Sequence, residues 1–467
     1  MASFKPLVVA FARMHPSAAG FVRILANLSS HCEAVLHEAP DAAVNLPQSI
    51  REEVKHMQNA LFVGIDVSLK SNAVCVLNAE GEKLDRFSVH NDRDGSSVIV
   101  SRVRSCLLKA PDAAVVNFGV EATSNYGHPL LYFLKREQTL ANTDTRFFIL
   151  NPRQVKNFKK AYSDLPKTDP MDAFVIADCL RFGRIGSREA YMDDFYAALQ
   201  RLTRSRSHVA EQLAAEKNRY TNALFLKFSG MAQEQFFSNN FGAAAMALIE
   251  SFDTVDDIAY TPVDELAAFL NKHGKGKFAD PVELAKAIQS AAKASFRLPK
   301  TVLGSVNQVL AVSARTIRFY ESQLKDYDKA IADLIAAIPN PLTSIPGIGP
   351  VYSAGIIAEI GDVNRFTGQA ALAKFAGLAW SRNQSGEFDS DHTSMIHSGN
   401  RYLRYYLVEA ANKVRQHDPD YAAFYAEKLS EAKTTPQKRA LVLTARKLVR
   451  LVYALLRDNK LYTPPST

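Results

Sequence analysis

Little in this 467-residue chain points to redox, zinc or membrane chemistry. Its four cysteines, Cys32, Cys75, Cys106 and Cys179, are scattered and form no Cys-x-x-Cys pair. That pattern argues against a zinc ribbon or a disulfide framework and fits a reducing cytoplasm. No apolar run approaches the ~20 residues of a membrane-spanning helix. The apolar patch at the start is broken by Arg13 and His15 and does not read as a secretory leader. Paired Gly-rich phosphate loops are missing, which speaks against a nucleotide-binding kinase of the actin-like fold. Internal repeats are missing too, and Trp380 is the only tryptophan.

What is present is ordinary core-forming material with an uneven distribution of charge. The hydrophobic share is 47% and the formal net charge is +8, a mild bias toward polyanionic partners. Residues 146–163 carry Arg146, Arg153, Lys156, Lys159 and Lys160 without an acid, and residues 432–457 carry seven further basic side chains, also without an acid. Such runs read either as solvated helix faces or as nucleic-acid contacts.

The length suits about two to four domains. Residues 1–56 read as an N-terminal extension of unknown order, and Met57 stands directly before a strong strand. Residues 57–185 alternate between buried strands and amphipathic helices, as expected for an α/β unit with a mixed sheet. Residues 186–338 follow helical spacing, predicting an antiparallel coiled coil with an insertion near 230–300. Pro339 and Pro341 open a helical unit over 339–430 with Gly-rich turns, and a basic helix and tail occupy 431–467.

Three constellations carry chemistry. Asp66 closes the first strand in GIDVS, Glu121 closes a later buried strand in GVEATSNYG, and Asp169 and Asp172 share a helix face in KTDPMDAF. Carboxylates gathered on one sheet edge suit hard divalent cations. Asp169 also fits a helix N-cap followed by Pro170, and Lys167 is placed to touch a phosphate. Next, IPGIGPVYSAGIIAEIGD resembles a helix-hairpin-helix, in which Gly347 and Gly349 bare backbone N–H groups toward phosphate. Last, Ser385-Gly386 lies in a polar loop ahead of His397, Arg401 and Arg404, the two arginines being suited to a phosphate. Ser394 and Ser398 compete with Ser385, and a plain Ser-Gly turn is the structural alternative.

Taken in order, GIDVS, GVEATSNYG, KTDPMDA, IPGIGPVYSAGIIAEIGDVNRF and FAGLAW–NQSG–HSGNRYLRYYLVEAA resemble the DEDD transposases of the "one-ten" insertion-sequence family. The Piv DNA invertases are relatives of that family. The resemblance covers roughly 60–185 and 340–425. It implies an RNase H-like (RuvC-like) domain whose Asp66, Glu121, Asp169 and Asp172 bind Mg²⁺ or Mn²⁺. It also implies a C-terminal domain in which Ser385 is a nucleophile that links covalently to DNA. It further implies a structured guide, the bridge RNA, and dimers that pair into tetramers through the coiled coil, in a bacterial cytoplasm. Arg153, Lys156, Lys159, Lys160, Lys167, Gly347, Gly349, Arg401 and Arg404 are the candidate nucleic-acid contacts. The first 56 residues have no counterpart in the family, and the middle is longer than usual. The family's usual lysine before the final Gly-Asn is replaced within His397-Ser398-Gly399-Asn400.

The expected activity is therefore that of an insertion-sequence transposase, a site-specific recombinase of DNA. Two alternatives are a metal-dependent RuvC-like junction nuclease in which Ser385 is structural, and a non-catalytic nucleic-acid-binding protein.

Overall fold

The computed structural model describes residues 60–122, 125–137, 140, 143–162, 168–183, 194–380, 395, 398–432 and 434–464, with the backbone alone at 384–385 and 388–389. The N-terminal extension, Lys167, Gly386, Ser394 and His397 lie outside the described residues. The chain divides into two compact units, one ending at Met192 and one beginning at Asp193.

The first unit is built on β1 (Ala60–Val67), β2 (Ser71–Leu77), β3 (Lys83–His90), α1 (Arg93–Lys109), β4 (Val115–Glu121), α2 (Gly127–Arg136), β5 (Asp144–Leu150), α3 (Pro152–Lys159) and α4 (Asp169–Phe182). The sheet order is β3-β2-β1-β4-β5. Strands β1, β2 and β3 pair antiparallel, while β1, β4 and β5 run parallel. This mixed five-stranded sheet is compatible with an RNase H-like domain. β1 is central and buried for six residues because both of its faces are covered.

Side-chain alternation decides which face each residue joins. Leu61, Val63, Ile65, Val116, Phe118 and Val120 form one core with Ile99 and Val103 of α1 and Leu130 and Leu134 of α2. Ala60, Phe62, Ala73, Cys75 and Val115 form the other with Val155 of α3 and Ala173, Ile176 and Ala177 of α4. Gly64 lets β1 touch α4: a Cβ there would stand 2.2 Å from the Ala173 carbonyl oxygen and 2.3 Å from the Ala177 nitrogen.

The second unit is helical. It runs α5 (Asp194–Lys227), α6 (Ser229–Gln233), α7 (Ala243–Ser251), α8 (Val255–Tyr260), α9 (Val263–His273), α10 (Pro281–Ala294) and α11 (Lys300–Ile335). It continues with α12 (Pro350–Ile360), α13 (Gln369–Phe375), a hairpin of β6 (Gln384–Ser385) and β7 (Phe388–Asp389), then α14 (Arg401–His417), α15 (Pro419–Glu431) and α16 (Pro436–Asp458). Helices α5 and α11 run in opposite directions, because Arg206 pairs with Asp328 and, a few turns on, Lys217 pairs with Glu321. Helices α6–α10 fill the sequence between them and share a core with Tyr220, Leu224, Leu310 and Ile317. A second core gathers Leu199, Ile331, Ile335, Ile356, Tyr406, Leu407 and Leu448 from both ends of the unit. Among the described residues no helix is long and apolar enough to cross a membrane.

Candidate active site

Strand register places two of the four candidate carboxylates side by side. Ile65 pairs with Val120 across the parallel β1–β4 ladder, so the next residues, Asp66 and Glu121, are neighbours. Each lies two residues beyond a glycine, Gly64 and Gly119, and shares that glycine's face of the sheet. This is the face that α4 covers, with Ala173 and Ala177 over Gly64 and Leu180 over Gly119. Asp169 and Asp172 form the first turn of α4 and come to the same edge.

The capping alternative for Asp169 does not describe this helix. Thr168 occupies the N-cap, no side chain caps the terminus, and Asp169 is already helical. Met171 and Asp172 donate their backbone N–H groups to the Thr168 carbonyl. Both acids lie in the first turn, where the positive end of the helix dipole favours negative charge.

Electrostatics reports the convergence. The Asp66 carboxyl is pushed up to about 6, first by burial and then by Asp172 and Asp169. Glu121 is raised as well, by burial and then by Asp66 and Asp172. Lys159, at the end of α3, opposes both shifts and forms an ion pair with Asp172. The basic run had marked Lys159 as a nucleic-acid contact. The structure brings it into the carboxylate group, while Arg153, Lys156 and Lys160 on the same segment are exposed.

Among the described residues no three His, Cys, Asp or Glu side chains stand close enough to enclose an ion. The donor chemistry nevertheless suits a hard divalent cation. The donors are all carboxylate oxygens, two come from adjacent strand ends, and their mutual repulsion is what a cation would relieve.

In the second unit, Gly347 adopts a φ of +90°, and a Cβ there would meet the Lys413 backbone at 2.9 Å. This turn is packed against α14 as well as bent. Gly349 is exposed, is the N-cap of α12 and has no heavy atom within 4 Å of its missing Cβ. A single 3₁₀ turn, Pro341–Ser344, precedes it. The Ser385 backbone pairs with Phe388 in the β6–β7 hairpin, and Trp380 pairs with Met395 nearer its base. Arg401 is exposed and donates to the Tyr402 hydroxyl at 3.0 Å. Arg404 is half-buried and donates to the Ala376 carbonyl at 3.4 Å. Ser398 is exposed.

Residue spacing alone missed the close-packing glycines Gly64 and Gly119 and the inward place of Lys159. A glycine two residues before each strand-end acid was the available signal for the first two. No local signal marked Lys159 off from the other lysines of its run.

Comparison with known proteins adds two family matches. A model described as a transposase, of the DEDD type, covers residues 63–228. A model of the IS116/IS110/IS902 transposase family covers residues 340–426. The chain is 27% identical to the 44.8 kDa protein of insertion element IS116 from Streptomyces clavuligerus, over 86% of this chain and 96% of that protein. It is 26% identical to the 42 kDa protein of IS900 from Mycobacterium paratuberculosis, over 88% and 99%. It is 31% identical to the pilin gene-inverting protein of Moraxella bovis, over 31% of this chain and 46% of that one.

Proposed function

The chain belongs to the IS116/IS110/IS902 family of transposases, and we propose that it cuts and rejoins DNA using the Asp66–Glu121–Asp169–Asp172 edge and the hydroxyl of Ser385. The convergence of Asp66, Glu121 and the first turn of α4 on one face of the sheet carries this reading. In it, the four carboxylates hold a divalent cation, Mg²⁺ or Mn²⁺. When bound, that ion supplies a positive charge that activates an attacking oxygen and stabilises a leaving one. The strand ends and α4 hold the acids on one edge, and binding an ion draws their side chains together and releases Asp172 from Lys159. Lys159 neutralises Asp172 in the absence of an ion.

At the serine, Oγ forms a bond to phosphorus while a deoxyribose oxygen leaves, and the serine proton passes to a base. Attack by a DNA hydroxyl on the phosphoserine reverses this and releases the serine. Exposed Arg401 and the open α12 N-terminus at Gly349 are suited to hold backbone phosphates, the latter as part of a helix-hairpin-helix. Arg153, Lys156 and Lys160 provide sequence-independent contacts to DNA or to a structured guide RNA.

We assign the domains as 57–185, 186–338 and 339–430, with 431–467 as a basic extension. The α5–α11 pair serves as an antiparallel coiled coil for homo-oligomer assembly. In support, Val302, Val309, Val312 and Phe319 are exposed along α11 at steps of seven, three and seven residues, which is heptad a/d spacing.

The test is to trap the covalent state. Full-length protein is incubated with the ends of its element and Mg²⁺, and the adduct is mapped by mass spectrometry. A phosphoserine–DNA link at Ser385, absent in Ser385→Ala, is expected. Strand exchange surviving in Ser385→Ala rejects the serine mechanism, and surviving hydrolysis without any adduct favours a metal-dependent nuclease. Expression with flanking DNA should copurify a discrete noncoding RNA. Recombination without any such RNA rejects the guide.

A further inference from the structure

One charged group of the second unit is wholly buried and has no place in the chemistry above. The Glu359 side chain has 0% exposure in α12, among Ile356, Ile357, Ala358 and Ile360. Its Oε1 accepts from Arg204 Nε at 2.7 Å. Its Oε2 accepts from Arg204 Nη2 at 2.9 Å, Gln200 Nε2 at 3.1 Å and Asn400 Nδ2 at 2.6 Å. A carboxylate so placed is costly to bury, and removing one partner strands the rest. An apolar residue would fill the position at lower cost, so the charge calls for a reason beyond packing.

The partners supply one. Gln200 and Arg204 belong to the long helix α5. Asn400 ends the connection that begins at Trp380 and carries the Ser385 hairpin. Every polar group of Asn400 is committed: its backbone N–H donates to the Phe375 carbonyl at 2.7 Å, and its Oδ1 caps α14 by accepting from Tyr402 and Leu403. Beside it, Gly399 is pressed on Gly377 so closely that a Cβ would lie 2.5 Å from the Gly377 nitrogen. Arg204 also lies over the Tyr402 ring, 4.8 Å from its centroid.

We infer that Glu359 is a positioning residue: by gripping Asn400, it fixes the base of the Ser385 hairpin and ties that hairpin to the long helix α5. The α12 carboxylate thus makes the setting of the nucleophile depend on the seating of the helix proposed to join protomers. The inference rests on the Ser385 reading.

Asn400→Ser separates anchoring from folding, because serine still caps α14 but cannot reach Glu359, which keeps Arg204 and Gln200. In the full chain, with element-end DNA and Mg²⁺, its single-turnover strand-transfer rate is expected to fall on the order of 10²-fold, the scale for a misplaced reacting group. DNA affinity should stay near wild type, Tm should fall less than in a variant that removes Arg204, and hydrogen exchange should rise at Gln384, Ser385, Phe388 and Asp389. Asn400→Asp sets a carboxylate against Glu359 and should be slower still. Adding Glu359→Gln, whose amide can donate to the new acid, should recover rate. An unchanged rate and exchange in Asn400→Ser, with Ser385→Ala inactive, overturns the positioning role and leaves the serine mechanism standing. Rate losses that simply track Tm, without rescue in the double variant, also overturn it. Full activity of Ser385→Ala instead rejects the serine mechanism, and the exchange data alone then decide whether Glu359 holds the hairpin.

Discussion

Gly64→Ala tests the geometry of the carboxylate edge from a position that carries no chemistry itself. The added Cβ would lie 2.2 Å and 2.3 Å from backbone atoms of Ala173 and Ala177. Non-bonded heavy atoms settle at about 3.5 Å, so α4 must retreat from β1 by about 1 Å, and backbone cannot rotate aside as a side chain can. Overpacking of this kind costs about 1–3 kcal/mol, which lowers Tm by several degrees in a domain of this size. The same retreat carries Asp169 and Asp172 away from Asp66 and Glu121. A displacement of about 1 Å at a reacting centre costs on the order of 10²-fold in rate. The assay pairs calorimetric Mn²⁺ binding with cleavage of element-end DNA under saturating metal. Two glycines calibrate it. At Gly119 the clash is with the Leu180 side chain at 2.5 Å, and at Gly127 the nearest atom is 3.6 Å away. The expected order of damage is therefore Gly64, then Gly119, then Gly127, with Gly127→Ala close to wild type. Unchanged metal affinity and cleavage in a folded Gly64→Ala protein would refute the claim that this contact sets the edge.

Asp66→Asn should abolish cleavage and yet raise the Tm of metal-free protein at pH 7. Asp66 titrates near 6 when folded against an ordinary value of 3.8. The folded state therefore holds that proton more tightly, and stability falls as pH rises through this window. A Tm gain at pH 7 that persists undiminished below pH 4 would contradict this account. Lys159→Met removes the cation facing Asp172, Asp66 and Glu121. Metal-free stability at pH 7 should drop, and added Mg²⁺ should restore more of it than in wild type. Equal gains from Mg²⁺ in both proteins would count against a carboxylate metal site. Val312→Glu with Phe319→Glu places charge on the exposed stripe of α11. Sedimentation should show loss of the homo-oligomer with helicity retained, and an unchanged mass would remove the stripe from the interface.

The first unit was legible because its sequence obeys two simple periods. Buried strands and amphipathic helices alternate from Ala60 onward, and the acids fall at the strand ends and a helix start, where one edge of a mixed sheet collects them. The basic segment after β5 was read as either a solvated helix face or a nucleic-acid contact; it contains the short helix α3, seated by the single buried Val155 that the charged run masks. Asp169 shows a different limit. A Thr-Asp-Pro sequence admits two N-cap positions, and the helix takes Thr168, with Asp169 already in its first turn.

Lys159 and Glu359 mark what spacing cannot reveal. Within the run Lys156, Lys159, Lys160 the side chains are chemically alike, and only the turn of α3 against α4 directs Lys159 to Asp172 while its neighbours face solvent. Glu359 was read only as part of the helix-hairpin-helix resemblance, although an acid among Ile356, Ile357, Ala358 and Ile360 cannot be buried unpaired. That cost predicts cationic and amide partners somewhere, but not that they come from residues 200, 204 and 400. The pairing follows from α5 crossing α12 and α14, where Tyr406 also donates to the Thr203 carbonyl at 2.6 Å. Arg204→Met therefore offers a test within the helical unit. Methionine packs as the arginine stem does, but it leaves Glu359 with only the Gln200 and Asn400 amides. If the carboxylate is held as an ion by Arg204, this change should cost several degrees of Tm, and Glu359→Gln should recover most of that loss. Failure of the second change to recover any stability would mean that the charge pair is not what holds α5 to α12.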